Sequence, residues 1–157
     1  MSPTQAPDAS PLSEFEELLK GSKKPPFTVW EFRLWLTATG RNEHAKWDSE
    51  LSKKGRARRN VSMKFLRDKP AAQWSRPEAS PLGDHVYVIR FKDENGTQHR
   101  LFGYHDLDHH AYVICFEGFE KDHVYHPPNY EERVRKCRSD IKGQFDQRTI
   151  VCPWPVI

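Results

Sequence analysis

The chain has 157 residues, 25 basic against 22 acidic side chains and a formal net charge of +3; 36% of it is hydrophobic and 30% charged. That suits one soluble globular domain around a single core, and so small a net charge does not by itself mark a nucleic-acid binder. No apolar run approaches the ~20 residues of a membrane span, the N-terminus lacks the charged-then-apolar order of a secretion signal, and three cysteines without C-x-x-C spacing point to reduced thiols, so the expectation is a cytoplasmic protein without membrane contact, metal or other cofactor.

Residues 1–26 contain five prolines and one short apolar patch, Phe15–Leu19, and are expected to be a flexible arm. Order is expected to begin at Phe27, where "FTVWEFRLWLT" alternates aromatic and aliphatic residues with others and is read as a strand. "RNEHAKWDSELSKKGRARRNVSMKFLRD" has apolar residues at helical spacing and is read as a helical hairpin broken near Gly55. Its second half is cationic: Lys53–Lys69 carries eight basic residues against one acidic residue. Such a run attracts phosphate, which makes Arg58 and Arg59 candidates for substrate contact, although a charged helix face is commonly only solvated.

Pro70 closes the helix, and "KPAAQWSRPEASPLGD" is expected to be a loop. Two strands then flank a Glu94-Asn95-Gly96 turn in "HVYVIRFKDENGTQHRLFGYHD". A second turn, "DLDHH", leads into a strand at "AYVICFEGF", after which Pro127 and Pro128 introduce a helix from about Asn129 to Ile141. A further short strand at "RTIVC" fits within the tail, 142–157. The expected class is α+β with order β-α-α-β-β-β-α: a small antiparallel sheet with helices packed mainly on one face.

The hairpin register decides which residues share a face, because a one-residue shift turns every side chain over. A three-residue loop with left-handed Gly96 pairs Arg90 with Arg100. It collects Tyr87, Ile89, Phe91 and Leu101 on an apolar face suited to helices. The opposite face then carries Val88, Arg90, Lys92, Gln98, Arg100, Phe102 and Tyr104, a mixture of cations and aromatic rings that suits phosphates and bases. Two facing arginines repel and call for an anionic neighbour, either a side chain such as Glu117 or a phosphate.

In their order, these segments resemble the RelE superfamily, and within it the HigB-like and phage-derived toxins of bacterial toxin–antitoxin pairs. The resemblance runs over about 27–141. It is carried by Ile89-Arg90 at the end of one strand, His99-Arg100 opening the next, and Gly118-Phe119-Glu120-Lys121-Asp122 closing the third. Pro127 followed by Arg133, Arg135 and Arg138 in a basic helix completes it. Val86, Val88 and Asp122 stand where RelE-type members carry lysines. The resemblance implies a ribosome-dependent, metal-free endoribonuclease that cleaves messenger RNA and is neutralised by a cognate antitoxin. A sister branch, the ParE toxins, implies instead a non-catalytic protein that grips gyrase, and an inactive toxin homologue is a third possibility.

Metal-free RNA cleavage needs a base for the ribose 2′-hydroxyl, cations for the crowded phosphate and an acid for the leaving oxygen. Arg100 with Arg90 is expected to hold the phosphate, joined by Lys121, with His123 and His126 moving protons. Tyr125, Lys92 and Tyr104 are expected to bind substrate. "HDLDHH", His105–His110, could bind a divalent ion, but it lacks a further ligand set at recognisable spacing and sits where a turn is required.

Overall fold

The computed structural model describes residues 29–154. The expected arm, 1–26, with its Phe15–Leu19 patch, lies outside the described residues, as do 155–157 of the tail.

The first strand, β1 (Glu31–Trp35), buries Phe32 and Leu34 on alternate positions. The helical hairpin follows as α1 (His44–Glu50) and α2 (Lys53–Leu66). Its break falls at Leu51–Ser52 and not at Gly55: Ser52 is the N-cap of α2, and its Oγ accepts a hydrogen bond from the Gly55 N–H at 3.0 Å. The segment read as a loop contains a 3-10 turn at Ala71–Gln73 and a strand, β2 (Ala79–Gly83). Pro81 and Gly83 hide that strand from pattern reading, and both are tolerated because β2 lies at a sheet edge.

Strands β3 (Val86–Lys92), β4 (Gln98–Asp106) and β5 (Ala111–Lys121) form the expected meander, and β6 (Val124–His126) turns back on β5. Then come α3 (Tyr130–Ile141), α4 (Phe145–Arg148) and β7 (Thr149–Val151). The strand order is β2-β3-β4-β5-β1-β7, with β6 pairing β5 beside this path. β1 runs parallel to β5, Glu31 opposite Ala111, and antiparallel to β7.

This overturns the expected architecture. The sheet has seven strands and is mixed, and helices cover both faces. The reason is topological. β1 finds neighbours on both edges, one supplied by residues about eighty positions away and one by the tail, where Cys152 N–H donates to the Phe32 carbonyl at 2.8 Å. The strand expected at "RTIVC" is therefore part of the sheet, and folded structure continues past Ile141.

One sheet face, with Phe32, Leu34, Ile89, Leu101 and Ile114, packs on Met63 and Leu66 of α2 and on Trp74. Met63 and Leu66 are fully buried, each contributing roughly 1.5–3 kcal/mol of hydrophobic stabilisation. The other face, with Val88, Phe102, Tyr104 and Val113, packs on Val134, Cys137 and Ile141 of α3. All three cysteines are buried and unpaired. No helix among the described residues is long and apolar enough to cross a membrane.

Two features of the sheet yield predictions. The pairing of β4 with β5 slips between Phe102 and Gly103, leaving Cys115 as an extra residue, a β-bulge. A Cβ on Gly103 would lie 1.9 Å from the Val113 carbonyl oxygen and 3.0 Å from the Tyr112 ring. Gly103→Ala should therefore destabilise the fold by about 1–3 kcal/mol, read from urea denaturation.

His105 at the end of β4 sits among Trp30, Trp74 and Tyr87, with ring centroids 4.6, 4.3 and 4.7 Å away, and both its ring nitrogens are buried without a hydrogen bond. Burial, followed by the neighbouring His110, pushes its pKa down to about 3. The unfolded chain therefore takes up a proton that the folded chain refuses. Stability should fall on acidification from about pH 6.5 towards 3, by up to ~1.4 kcal/mol per pH unit from this one residue. In His105→Phe that slope should flatten, as measured by urea denaturation across pH.

Candidate functional site

The β3–β4 hairpin has the expected register. Gly96 adopts φ +81° in the turn, and Arg90 lies opposite Arg100. β5 sets Gly118 beside Arg100 and Glu120 beside Gln98, and β6 sets Tyr125 beside Glu120. Alternation then places Arg90, Lys92, Arg100, Glu120 and Tyr125 on one face, the same face on which α3 packs further along the sheet.

The anion between the arginines is Glu120. Arg100 donates from Nε at 3.0 Å and Nη2 at 2.7 Å to its Oε1, from Nη2 to Gln98 Oε1 at 2.8 Å, and from Nη1 to the His99 carbonyl at 2.8 Å. Its side chain is only 2% exposed. Arg90 Nη1 lies 3.7 Å from the same carboxylate and 3.3 Å from Ser80 Oγ. The expected neighbour, Glu117, points to the opposite face and bonds the buried ring of His44. The bulge at Cys115 explains the difference, because it reverses the parity of every later β5 residue.

Arg76 is exposed and acts electrostatically on both Arg90 and Glu120. Burial, and next the charge of Arg100, holds the Arg90 guanidinium below its ordinary pKa. For Glu120, burial favours the neutral acid, but hydrogen bonding from Arg100 and the charges of Arg100, Arg90 and Arg76 prevail, and its carboxyl titrates below its usual range. Two arginines thus flank one carboxylate, which also feels the charge of Arg76, and exposed Lys92 lies on the same face. Tyr125 meets Phe102 edge-on at 5.7 Å and Tyr130 at 5.3 Å, which fixes its ring beside the cations.

The other expected site residues are not gathered here. Lys121 and His126 have the opposite parity on β5 and β6, and His126 stacks on Phe119 at 4.7 Å. His123 and Asp122 form the two-residue turn between these strands, both with positive φ (65° and 52°). Lys121, expected to join the arginines at the phosphate, and the expected proton-transfer pair His123 and His126 are therefore not assembled on the face that carries Arg100. Arg59 was expected at a substrate surface but is buried. It pairs with Asp48 and lies 4.2 Å over the Trp154 ring, because its position on α2 faces the protein interior. Tyr104 is also buried, with Arg138 5.2 Å over its ring. Arg58 is exposed and donates to the Asp93 carbonyl at 3.1 Å.

The "HDLDHH" stretch divides. His105 and His110 turn toward Trp30, whereas His109 stacks on Phe145 at 3.8 Å and bonds Asp106 at 3.0 Å. Among the described residues no cluster of three metal-ligating side chains is assembled. This turn and the α3–α4 junction border a cleft of about 1080 Å³, where Arg135, Arg138 and Lys142 are offset by Asp106, Asp108 and Asp146. Its mixed charge contrasts with the cationic excess around Arg90. Glu120 and Arg76 were missed from sequence; strand parity counted from Gly118 finds Glu120, whereas no local pattern brings Arg76 to the site.

Glu120→Ala should cost about 3–5 kcal/mol in urea denaturation, because it strands the buried Arg100 charge. The folded-state pKa of Glu120 lies below its unfolded value. Its contribution is therefore complete above the ordinary carboxylate range and is lost as pH falls through the depressed folded value. The gap between wild type and variant should narrow on acidification through that window. Compared with known proteins, the chain matches no family model, no curated protein and no solved structure.

Proposed function

We propose that the chain is an RNA-binding protein of the toxin type that interferes with translation by gripping RNA on the open sheet face around Arg90, with the ribosome and messenger RNA as targets and a cognate antitoxin as its neutralising partner. The observation that carries this reading is the cationic excess on one sheet face: Arg90, Arg100 and Lys92 share it with the single carboxylate of Glu120 and the Tyr125 ring, and the charge of Arg76 acts on that carboxylate as well. Arg90, Arg76 and Lys92 supply phosphate contacts, and Tyr125 supplies a stacking surface for an unpaired base. Arg100, whose donors are committed to Glu120, Gln98 and the backbone, positions the carboxylate and does not meet the ligand.

A second reading, cleavage, is favoured by Glu120 itself, a carboxylate held between two guanidiniums. In that chemistry Glu120 accepts the 2′-hydroxyl proton, the 2′-oxygen bonds to phosphorus, and Arg90 stabilises the charge that develops. The 5′-oxygen departs with a proton from Tyr125, leaving a 2′,3′-cyclic phosphate.

Binding of a fluorescent single-stranded RNA, measured against salt, tests the first reading. Arg90→Ala and Lys92→Ala should each weaken affinity and reduce the log–log salt slope by about 0.7, the value of one single-strand phosphate contact. Unchanged slopes would remove this face from RNA recognition. Expression in bacteria separates the two readings: growth arrest without new transcript 5′ ends supports gripping, whereas new ends that vanish in Tyr125→Phe support cleavage.

A further inference from the structure

The outward side of α2 leaves two large apolar side chains exposed among the described residues. Val61 is 67% exposed and Phe65 46%, four residues apart and therefore on one stripe of the helix. Lys54, Arg58 and Lys64 are exposed along the same helix, Lys69 lies 4.5 Å over the Phe65 ring, and α2 contains no acidic residue. This is an apolar stripe with cations along the helix on which it lies, and one acidic residue, Asp68, beyond its C-terminal end, where it pairs with Lys69 at 3.0 Å.

The described chain begins beside the end of this helix. Trp30 N–H donates to the Arg67 carbonyl at 2.8 Å, and its indole Nε1 donates to the Lys69 carbonyl at 2.7 Å. Residues 1–28 lead into that point. Within them "LSEFEELL", Leu12–Leu19, places Leu12, Phe15 and Leu19 at i, i+3 and i+7, with Glu14, Glu16 and Glu17 and no basic residue. Ser13 followed by Glu16 has the spacing of a helical capping box.

We propose that Leu12–Leu19 docks on the outward stripe of α2 in the same molecule, seating Phe15 and Leu19 on Val61 and Phe65 with its glutamates toward Lys54, Arg58 and Lys64. Length permits this. The nine residues 20–28 reach roughly 30 Å when extended, and the 14 residues of α2 span only about 21 Å. Tethering makes the contact intramolecular, so a small interface is held at high effective concentration. This inference is independent of the RNA reading.

Backbone relaxation by NMR on the full chain tests it. In wild type the amides of Glu14–Leu19 should have order parameters near 0.85, falling below about 0.6 in Phe65→Ser while the sheet amides keep their shifts. Conversely, Phe15→Ser should move the amides of Val61 and Phe65, a check that leaves α2 unaltered. Order parameters below about 0.6 for that segment in wild type, or Phe65→Ser leaving them unchanged, would overturn the proposal. Order that disappears on dilution, with a dimer in sedimentation, would assign the stripe to a second copy and also overturn it.

Discussion

The shared carboxylate of Glu120 makes the centre of the sheet possible. Cross-strand pairing forces Arg90 and Arg100 together, and like charges opposite each other destabilise a ladder. Burying the Arg100 guanidinium adds a desolvation cost that only close, well-aligned acceptors offset. Glu120, Gln98 and the His99 carbonyl provide those acceptors, with Glu120 taking two of the bonds. The three middle strands are therefore tied in register by polar chemistry at one end and by apolar packing at the other.

That arrangement also fixes the division of labour between the arginines. Arg100 is spent on structure, whereas Arg90 keeps part of its guanidinium in reach of solvent. A ligand phosphate at this face would compete with Glu120 for Arg90 without undoing the Arg100 pair. Such a site tolerates binding and release because its foundation does not depend on the ligand.

Local patterning revealed much of this. A three-residue loop, Glu94-Asn95-Gly96, chosen because it gathers apolar residues on one face, pairs Arg90 with Arg100 and assigns Ile89 and Leu101 to the side that packs on α2. The long, β-branched strands and the proline-led helix were also legible. What was hidden was non-local or irregular. The parallel partner of β1 cannot be inferred from its own residues, and β2 is disguised by Pro81 and Gly83. The bulge at Cys115 reverses parity, so simple alternation selects Glu117 in place of Glu120. His123 and His126 are candidates for proton transfer by the chemistry of the imidazole ring, which says nothing of placement, and strand geometry sends His126 to the other side of the sheet.

The placement of β1 has a bearing on synthesis. This strand is made well before both of its neighbours, which begin at Ala111 and Thr149. A nascent chain therefore carries Phe32 and Leu34 unpaired until β5 has been made, and the sheet closes only when β7 has left the ribosome. Pairings so distant in sequence carry a large loop-closure cost and slow folding. The interval during which β1 lacks partners is the period when the chain is most exposed to mispairing and aggregation.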